Sequence, residues 1–542
     1  MSLRTRKIAE LVLLEAFENL EINASDWFMS SVYGEWGENP HAVKLREVQR
    51  DITMSLNWGS SIPHEKVPQY LAVVLGRDLL RFPPARCLLL ESRLTSSTDG
   101  NEILEKYAKI EGVDENGVSV DRLLTLCKNR SWVPSTRYAY DFCELIELPP
   151  QFAQAGSSSG VPPVVFSEPV RNLPPLLDFQ ELVKEQIIDA LRDSSTAYVI
   201  MPTGSGKTRT SVEAVVGFLD ENGSSVDRVL WIADRNELCE QAVESFLTIL
   251  PHRNNSRVQI SRYWAGNSLD LDIDSGGKRF IPGVTITSTQ QLRNRLFAGD
   301  PVGRYLVENS RIIIIDEVHR NLKFNEDLLE KVRRINPECG IIGLTATPYR
   351  RIRHETGRLV RMFENPITPV EGDRVDIEDI REALEDREIL AKQVDVSSVD
   401  IGLRLSVGST PGKRLSEAVS IVNEFINTGS SSILVFAESV DHSNQIASAL
   451  VMQGVSAQHM DSGTVPEERR KTVEDYRNGD VQVLVNYDIL TTGFDAPLTD
   501  SVIILRGTDD LDQPLITQMI GRGLRGPRFG GTEECRVFIR GR

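Results

Sequence analysis

One repeated pattern constrains this chain more than any other. From about residue 171, short apolar, β-branched runs alternate with amphipathic segments of helix length. The runs begin at Tyr198-Val-Ile-Met, Val229-Leu-Trp-Ile-Ala, Val284-Thr-Ile-Thr, Arg311-Ile-Ile-Ile-Ile-Asp and Gly340-Ile-Ile-Gly-Leu-Thr. A strand without a polar face must be covered on both sides, and helices packed on both faces of a parallel sheet do that. A polar, charge-rich stretch follows, and then the alternation restarts. Its later strands start at Ser432-Ile-Leu-Val-Phe-Ala, Val481-Gln-Val-Leu-Val-Asn, Ser501-Val-Ile-Ile-Leu and Cys535-Arg-Val-Phe-Ile. The expected fold class is therefore α/β, with two parallel-sheet domains in tandem over 171–350 and 413–542, joined by a connection over 351–412.

Residues 1–147 read differently. Ile8–Phe17, Val67–Leu80 and Val120–Cys127 space their apolar residues as helices do, so this part is expected to be a mainly helical accessory domain. Trp27, Tyr33, Trp36 and Trp58 lie in a broken region, read as core aromatics with a base-stacking platform as the alternative. Residues 148–170 are rich in Pro, Gly and Ser and read as a linker. No repeat of 20–50 residues stands out.

Composition excludes several classes. With 542 residues the chain is long enough for several domains. No apolar stretch of ~18 uncharged residues exists, so no membrane span is expected. Glu10, Glu15 and Glu18 interrupt what would otherwise be a signal core. The six cysteines stand singly, which argues against a zinc site or disulfide framework and for a reducing cytoplasm. The formal net charge is −17, so a surface for nucleic acid must be a local groove on an acidic body.

Chemistry concentrates at the ends of the expected strands. Pro202-Thr-Gly-Ser-Gly-Lys-Thr208 follows one strand and precedes a helix. Thr203, Gly204, Ser205 and Gly206 can close backbone N–H groups around a phosphate, with the helix presenting its positive end. Lys207 can reach β- and γ-phosphates, and Thr208 can ligate Mg²⁺. The strict pattern has Gly where this chain has Met201. Asp316 and Glu317 follow the apolar run Ile312–Ile315 in the same unit, Asp316 placed to hold Mg²⁺ and Glu317 to orient or deprotonate a water. Thr345-Ala-Thr347 ends a further strand and can couple the nucleotide site to a neighbouring surface. In the second unit, Arg522 and Arg525 are three apart and share a helix face, from which they could offset charge developing on a γ-phosphate.

Taken in order, PTGSGKT, DEVH, TAT, TTGFDAP and QMIGRGLR resemble the superfamily 2 helicases and translocases over roughly 171–542. Within that superfamily the chain looks closest to the type III restriction motor subunits and to bacterial DNA-repair and phage-defence helicases. The resemblance implies two RecA-like domains facing each other across a cleft, preceded by the helical domain. It implies ATP and Mg²⁺, with Gln180 reading adenine and Gly493 and Asp495 joining the nucleotide site. It makes Ser288, Thr289, Thr491 and Thr492 candidate contacts to a nucleic-acid backbone, and His319, Thr345, Thr347 and Gln518 candidate coupling residues. Motif Ia is matched at Ala233–Gln241 and motif IV at Phe436–Ser439. The function it implies is an ATP-dependent DNA helicase or translocase in repair, restriction or phage defence. An RNA helicase, and an ATPase that senses nucleic acid and gates a partner effector, are the alternatives. No nuclease pattern stands out, so any cutting activity is expected to lie on a partner protein or to be missing. Relatives usually continue past the last strand, where this chain stops.

Overall fold

The computed structural model describes residues 3–541 except 57, 97, 115–117, 155–163, 167–174, 222–228, 254–257, 266, 268, 270–271, 274–278, 281–282, 347–357, 360, 364, 371–376, 401, 403–409, 462–463, 465, 488–489, 491–495 and 507–512. The first lobe is built on β1 (Val164–Phe166), β2 (Thr196–Ile200), β3 (Val229–Ala233) and β4 (Gln259–Tyr263). A small antiparallel ribbon of β5 (Asp272–Ile273) and β6 (Arg279–Phe280) stands apart from the sheet. The sheet continues with β7 (Val284–Ser288), β8 (Ile312–Ile315), β9 (Gly340–Thr345) and β10 (Asn365–Ile367). Their spatial order is β1-β4-β7-β3-β8-β9-β2-β10, parallel throughout except for antiparallel β1 on β4. Central β8 is four isoleucines, each at most 1% exposed.

The second lobe carries β11 (Lys392–Val396), β12 (Ile433–Phe436), β13 (Ala457–Met460), β14 (Val483–Asn486), β15 (Ser501–Ile504) and β16 (Glu534–Ile539). Their order is β11-β16-β15-β12-β14-β13, all parallel. Two α/β lobes behind a helical unit is thus the observed architecture.

The interior boundaries differ from the sequence reading. β1 lies inside the stretch read as a linker, whose start, Pro150–Phe152, is a helical turn with Phe152 buried. β10 and β11 both lie inside the stretch read as a connection, one joining each sheet. β4 and β13 were not anticipated either. The physical reason is common to most of these: β1, β10, β11 and β13 are edge strands, so they are short or polar and lack the apolar run that betrays a central strand. β4 has one parallel neighbour and only the short β1 on its other side.

The helical unit precedes the first lobe in sequence but docks on the second. Helix Pro40–Ser55 packs along helix Pro411–Asn427, and helix Val67–Val74 along helix Val440–Met452. One continuous core holds Leu13, Ile52 and Tyr70 together with Leu415, Val422, Ile446, Val435 and Ile503. Sequence explains why: helix Val440–Met452 buries His442, Ser443 and every residue from Ile446 to Met452, too much of its circumference for a helix with one covered face. Polar contacts finish the seam. Arg6 donates to the Ala457 carbonyl at 2.9 Å, Arg77 pairs with Glu468 at 2.7 Å, and Gln445 donates to Asp51 at 3.3 Å. Leu415→Ala should therefore cost about 2–5 kcal/mol and lower hydrogen-exchange protection in residues 3–152 and in the second lobe together. Loss confined to the second lobe would show that the two do not share a core.

Candidate nucleotide site

Four neighbouring strands of the first sheet, β3-β8-β9-β2, deliver the candidate residues at their carboxyl ends. β2 leads into Met201–Lys207, β3 into Asp234, β8 into Asp316 and Glu317, and β9 ends on Thr345. In an open parallel sheet this edge is the ligand crevice.

The loop after β2 is held from inside. Ser205 Oγ donates to the Pro202 carbonyl at 2.7 Å. Gln180 Nε2 donates to the Ser205 carbonyl at 3.0 Å, and the Leu177 N–H donates to Gln180 Oε1 at 3.0 Å. The Gln180 amide is thus buried and engaged at both ends as a clamp on the loop. Gly204 and Gly206 sit at φ +90° and +86°, where side chains are strained. A Cβ on Gly206 would also lie 2.4 Å from Gln180 Nε2. Helix Lys207–Glu221 starts at the loop's end, with Thr208 in its first turn.

Lys207 Nζ lies 3.1 Å from Glu317 Oε1 and 3.6 Å from Asp316 Oδ1. Burial alone would lower the lysine's pKa, but the Glu317 and Asp316 carboxylates outweigh it and raise it. Burial pushes Asp316 above the usual carboxylate range despite Lys207. Burial acts upward on Glu317 as well, yet Lys207 and His319 hold it below that range, so it stays charged. Glu317 occupies left-handed backbone, φ +49°, and its N–H donates to Asp316 Oδ1 at 2.9 Å. Such strain in a non-glycine residue persists only where its surroundings enforce it. His319 Nδ1 lies 2.9 Å from Thr345 Oγ1 and 3.4 Å from Glu317 Oε2, all buried.

The second lobe reaches this loop directly. Arg522 and Arg525 do not share a helix face as expected: helix Gln513–Ile520 stops before Gly521, and both arginines, partly exposed, lie in the turn Gly521–Gly526. A Cβ on Gly521 would lie 2.3 Å from Thr203 Cβ, and one on Gly204 would lie 3.3 Å from the Gly521 carbonyl oxygen and 3.7 Å from Arg525 Cγ. Gln518 Oε1 accepts from Arg320 at 3.4 Å, and Arg320 also pairs with Asp234 at 3.2 Å. Sequence reading missed Arg320 as a bridge between lobes, held from its own lobe by Asp234. Their position beside quoted motifs was the available signal. Gly521→Ala should hold the lobes apart and lower turnover at least tenfold, about 1.4 kcal/mol, with folding intact by circular dichroism. Unchanged turnover would mean that the contact is dispensable.

Ser288 and Thr289 are buried where β7 meets helix Thr289–Phe297. Ser288 Oγ accepts from the Gln291 N–H at 3.1 Å and Thr289 Oγ1 donates to the Ala233 carbonyl at 3.2 Å. Their hydroxyls fix the helix start, leaving its first-turn backbone N–H groups as what this end offers a phosphate. Thr347, Thr491, Thr492, Gly493 and Asp495 lie outside the described residues.

Two buried oxygens here, Thr203 Oγ1 and Glu317 Oε2, make no hydrogen bond. With the glycine cradle, they fit a magnesium nucleotide and its water. Two parallel-sheet lobes, one bearing the phosphate loop and carboxylates and the other pressing an arginine-bearing turn on that loop, define a two-lobed P-loop NTPase.

Comparison with known proteins narrows the class. Residues 174–350 match the family described as type III restriction enzyme, res subunit, and residues 417–526 match the helicase conserved C-terminal domain. IRC3 of Saccharomyces cerevisiae, named as an ATP-dependent helicase, is 25% identical over 65% of this chain and 50% of its own. The irc3 protein of Schizosaccharomyces pombe, named as a mitochondrial ATP-dependent helicase, is 28% identical over 63% and 53%. The RNA helicase RhlB of Pseudomonas syringae pv. tomato is 24% identical over 54% and 67%. The chain spans about half the length of the two IRC3 relatives. Together the two family matches and the helicase-named relatives support a superfamily 2 helicase related to the motor of type III restriction enzymes.

Proposed function

We propose that the chain is an ATP-dependent motor on DNA, a helicase or translocase, which couples each hydrolysis event to a step along a strand. The observation that carries this reading is the seating of the Gly521–Gly526 turn on Thr203 and Gly204. A site completed by both lobes works only when they meet, so chemistry and lobe movement are tied together.

The residues divide the work. The N–H groups of Thr203–Thr208 and the Lys207 ammonium bind the phosphates, and Gln180 keeps the loop in shape beside the adenine. Thr208 and Asp316 would hold Mg²⁺, which supplies charge neutralisation on the phosphates. Glu317 orients and deprotonates water, positioned by its backbone strain and by His319. Arg522 and Arg525 add positive charge from the second lobe. His319 and Thr345 on one side, and Gln518 through Arg320 on the other, link the nucleotide site to the cleft. Strand contacts at Ser288, Thr289, Thr491 and Thr492 would be to the backbone and so tolerant of sequence.

A second reading has a specific observation behind it: the helical unit shares a core with the second lobe, so each closure carries it along. That suits an ATPase which senses nucleic acid and gates a nuclease or other defence partner. RNA remains the alternative track. No described helix is long and apolar enough to cross a membrane. The cysteines are free thiols, which suits a reducing compartment such as the cytoplasm.

The test is ATPase activity with single-stranded DNA, duplex DNA and RNA, with Lys207→Ala as the inactive control. The expected result is stimulation greatest with DNA, strand separation or displacement in parallel, and none in the control. Greater stimulation by RNA reassigns the track. ATPase without movement supports gating. No response to any nucleic acid ends the motor reading.

A further inference from the structure

The helical unit holds a cavity of about 300 Å³ lined by Trp36, Arg81, Pro83, Arg86 and the run Lys128–Trp132. Four cations and two indoles face it, and no carboxylate lines it. On a chain of net charge −17 such a gathering of cations on one wall stands out, with their paired carboxylates set outside the cavity lining. Lys128 Nζ lies 5.7 Å from the centroid of the Trp36 ring, and the Arg86 guanidinium lies 5.9 Å from that of Trp132.

Arg86 is the second observation. It is only 1% exposed. Its Nη1 donates to the Leu80 carbonyl at 2.7 Å, and its Nη2 to those of Cys127 and Arg130 at 2.8 and 2.6 Å. Its Nε and the Trp132 Nε1 are buried with no acceptor. Carbonyl dipoles therefore fix a buried positive charge behind the cavity wall, from which it attracts a bound anion through space rather than by direct contact. The outer cations already have partners: Lys128 pairs with Glu35 at 2.7 Å, Arg81 with Asp78 at 3.2 Å and Arg130 with Glu111 at 2.5 Å. Exposed pairs like the first two are worth little and exchange readily for phosphate.

We propose that this cavity binds one nucleotide unit of a single-stranded nucleic acid, the base against Trp36 and Trp132 and the phosphate among Lys128, Arg81 and Arg86. The volume lies at the lower end of the ~300–1,000 Å³ of small-ligand sites, suited to one flipped-out or terminal nucleotide and too small for a duplex. Indoles beside cations favour a base with its phosphate over a phosphate alone. The proposal rests on the motor reading and adds to it a strand contact that travels with the second lobe.

The test uses the full chain with Lys128→Glu and Arg81→Glu combined, both side chains being well exposed at 39% and 43%. The probe is fluorescein-labelled oligothymidylate, with anisotropy followed across a salt series. Affinity should fall about tenfold and the slope of log affinity against log salt should shrink by about one, the share of a single phosphate. Lys128→Arg with Arg81→Lys should restore both, and ATPase without nucleic acid should not change. Wild-type affinity and slope in the reversed variant would overturn the cavity proposal and leave the motor reading standing. A wild-type chain that does not bind the probe would overturn the cavity proposal, and the motor reading would fall with it only if duplex DNA and RNA also failed to raise ATPase. A phosphotyrosine peptide that binds wild type but not the variant, where oligothymidylate binds both alike, would reassign the cavity to a protein partner.

Discussion

Arg522→Ala is expected to lower kcat about 10³-fold while changing KM for ATP little. Guanidiniums delivered to a transferring γ-phosphoryl group are worth 10³–10⁵ in rate, and the low end is about 4 kcal/mol of barrier. The low end is appropriate because Arg525, in the same turn, lies against the loop and supplies a second positive charge there. Phosphate binding in the ground state falls to the first lobe, through Lys207 and the loop N–H groups, so KM should survive. Steady-state ATPase with saturating DNA reads both constants. An equal loss in affinity and turnover would make the arginine a ground-state ligand rather than a transition-state one. Arg522→Ala combined with Arg525→Ala should be worse than either alone, since both sit in the turn that meets the loop.

Glu317→Gln is expected to stop hydrolysis, with kcat down ~10²–10⁴-fold, while ATP still binds. The substitution keeps the shape and one acceptor for Lys207, which also has Asp316 at 3.6 Å. What it removes is the charge that Lys207 and His319 maintain, and with it the group able to take a proton from water. Equilibrium binding of a fluorescent ATP analogue, read beside steady-state turnover, separates the two effects. Wild-type turnover would remove Glu317 from water activation. Loss of binding would assign it a structural role on Lys207.

Much of this site was legible in the chain because its residues are local to strand ends. An apolar run such as Ile312–Ile315 announces a central strand, and the residues just beyond it must emerge at the sheet's carboxyl edge. Lys207, Asp316, Glu317 and Thr345 could therefore be placed together without coordinates. Gln180 was found but its contact was not foreseen, because nothing local says that its amide would turn onto the Ser205 carbonyl. Ser288 and Thr289 show the same limit, since a hydroxyl that caps a helix and one that meets a phosphate look alike in a sequence.

The amino-acid sequence by itself determined two parallel sheets, the order of the motifs and the strand ends that carry them, since hydrophobic periodicity and loop chemistry are short-range properties. Only the tertiary structure decided which surfaces meet. It placed the helical unit on the second lobe rather than the first, joined Arg320 to Gln518 and Asp234, and laid Gly521 on Thr203. Those outcomes depend on shape and burial between segments far apart in the chain, where no local pattern records the partner.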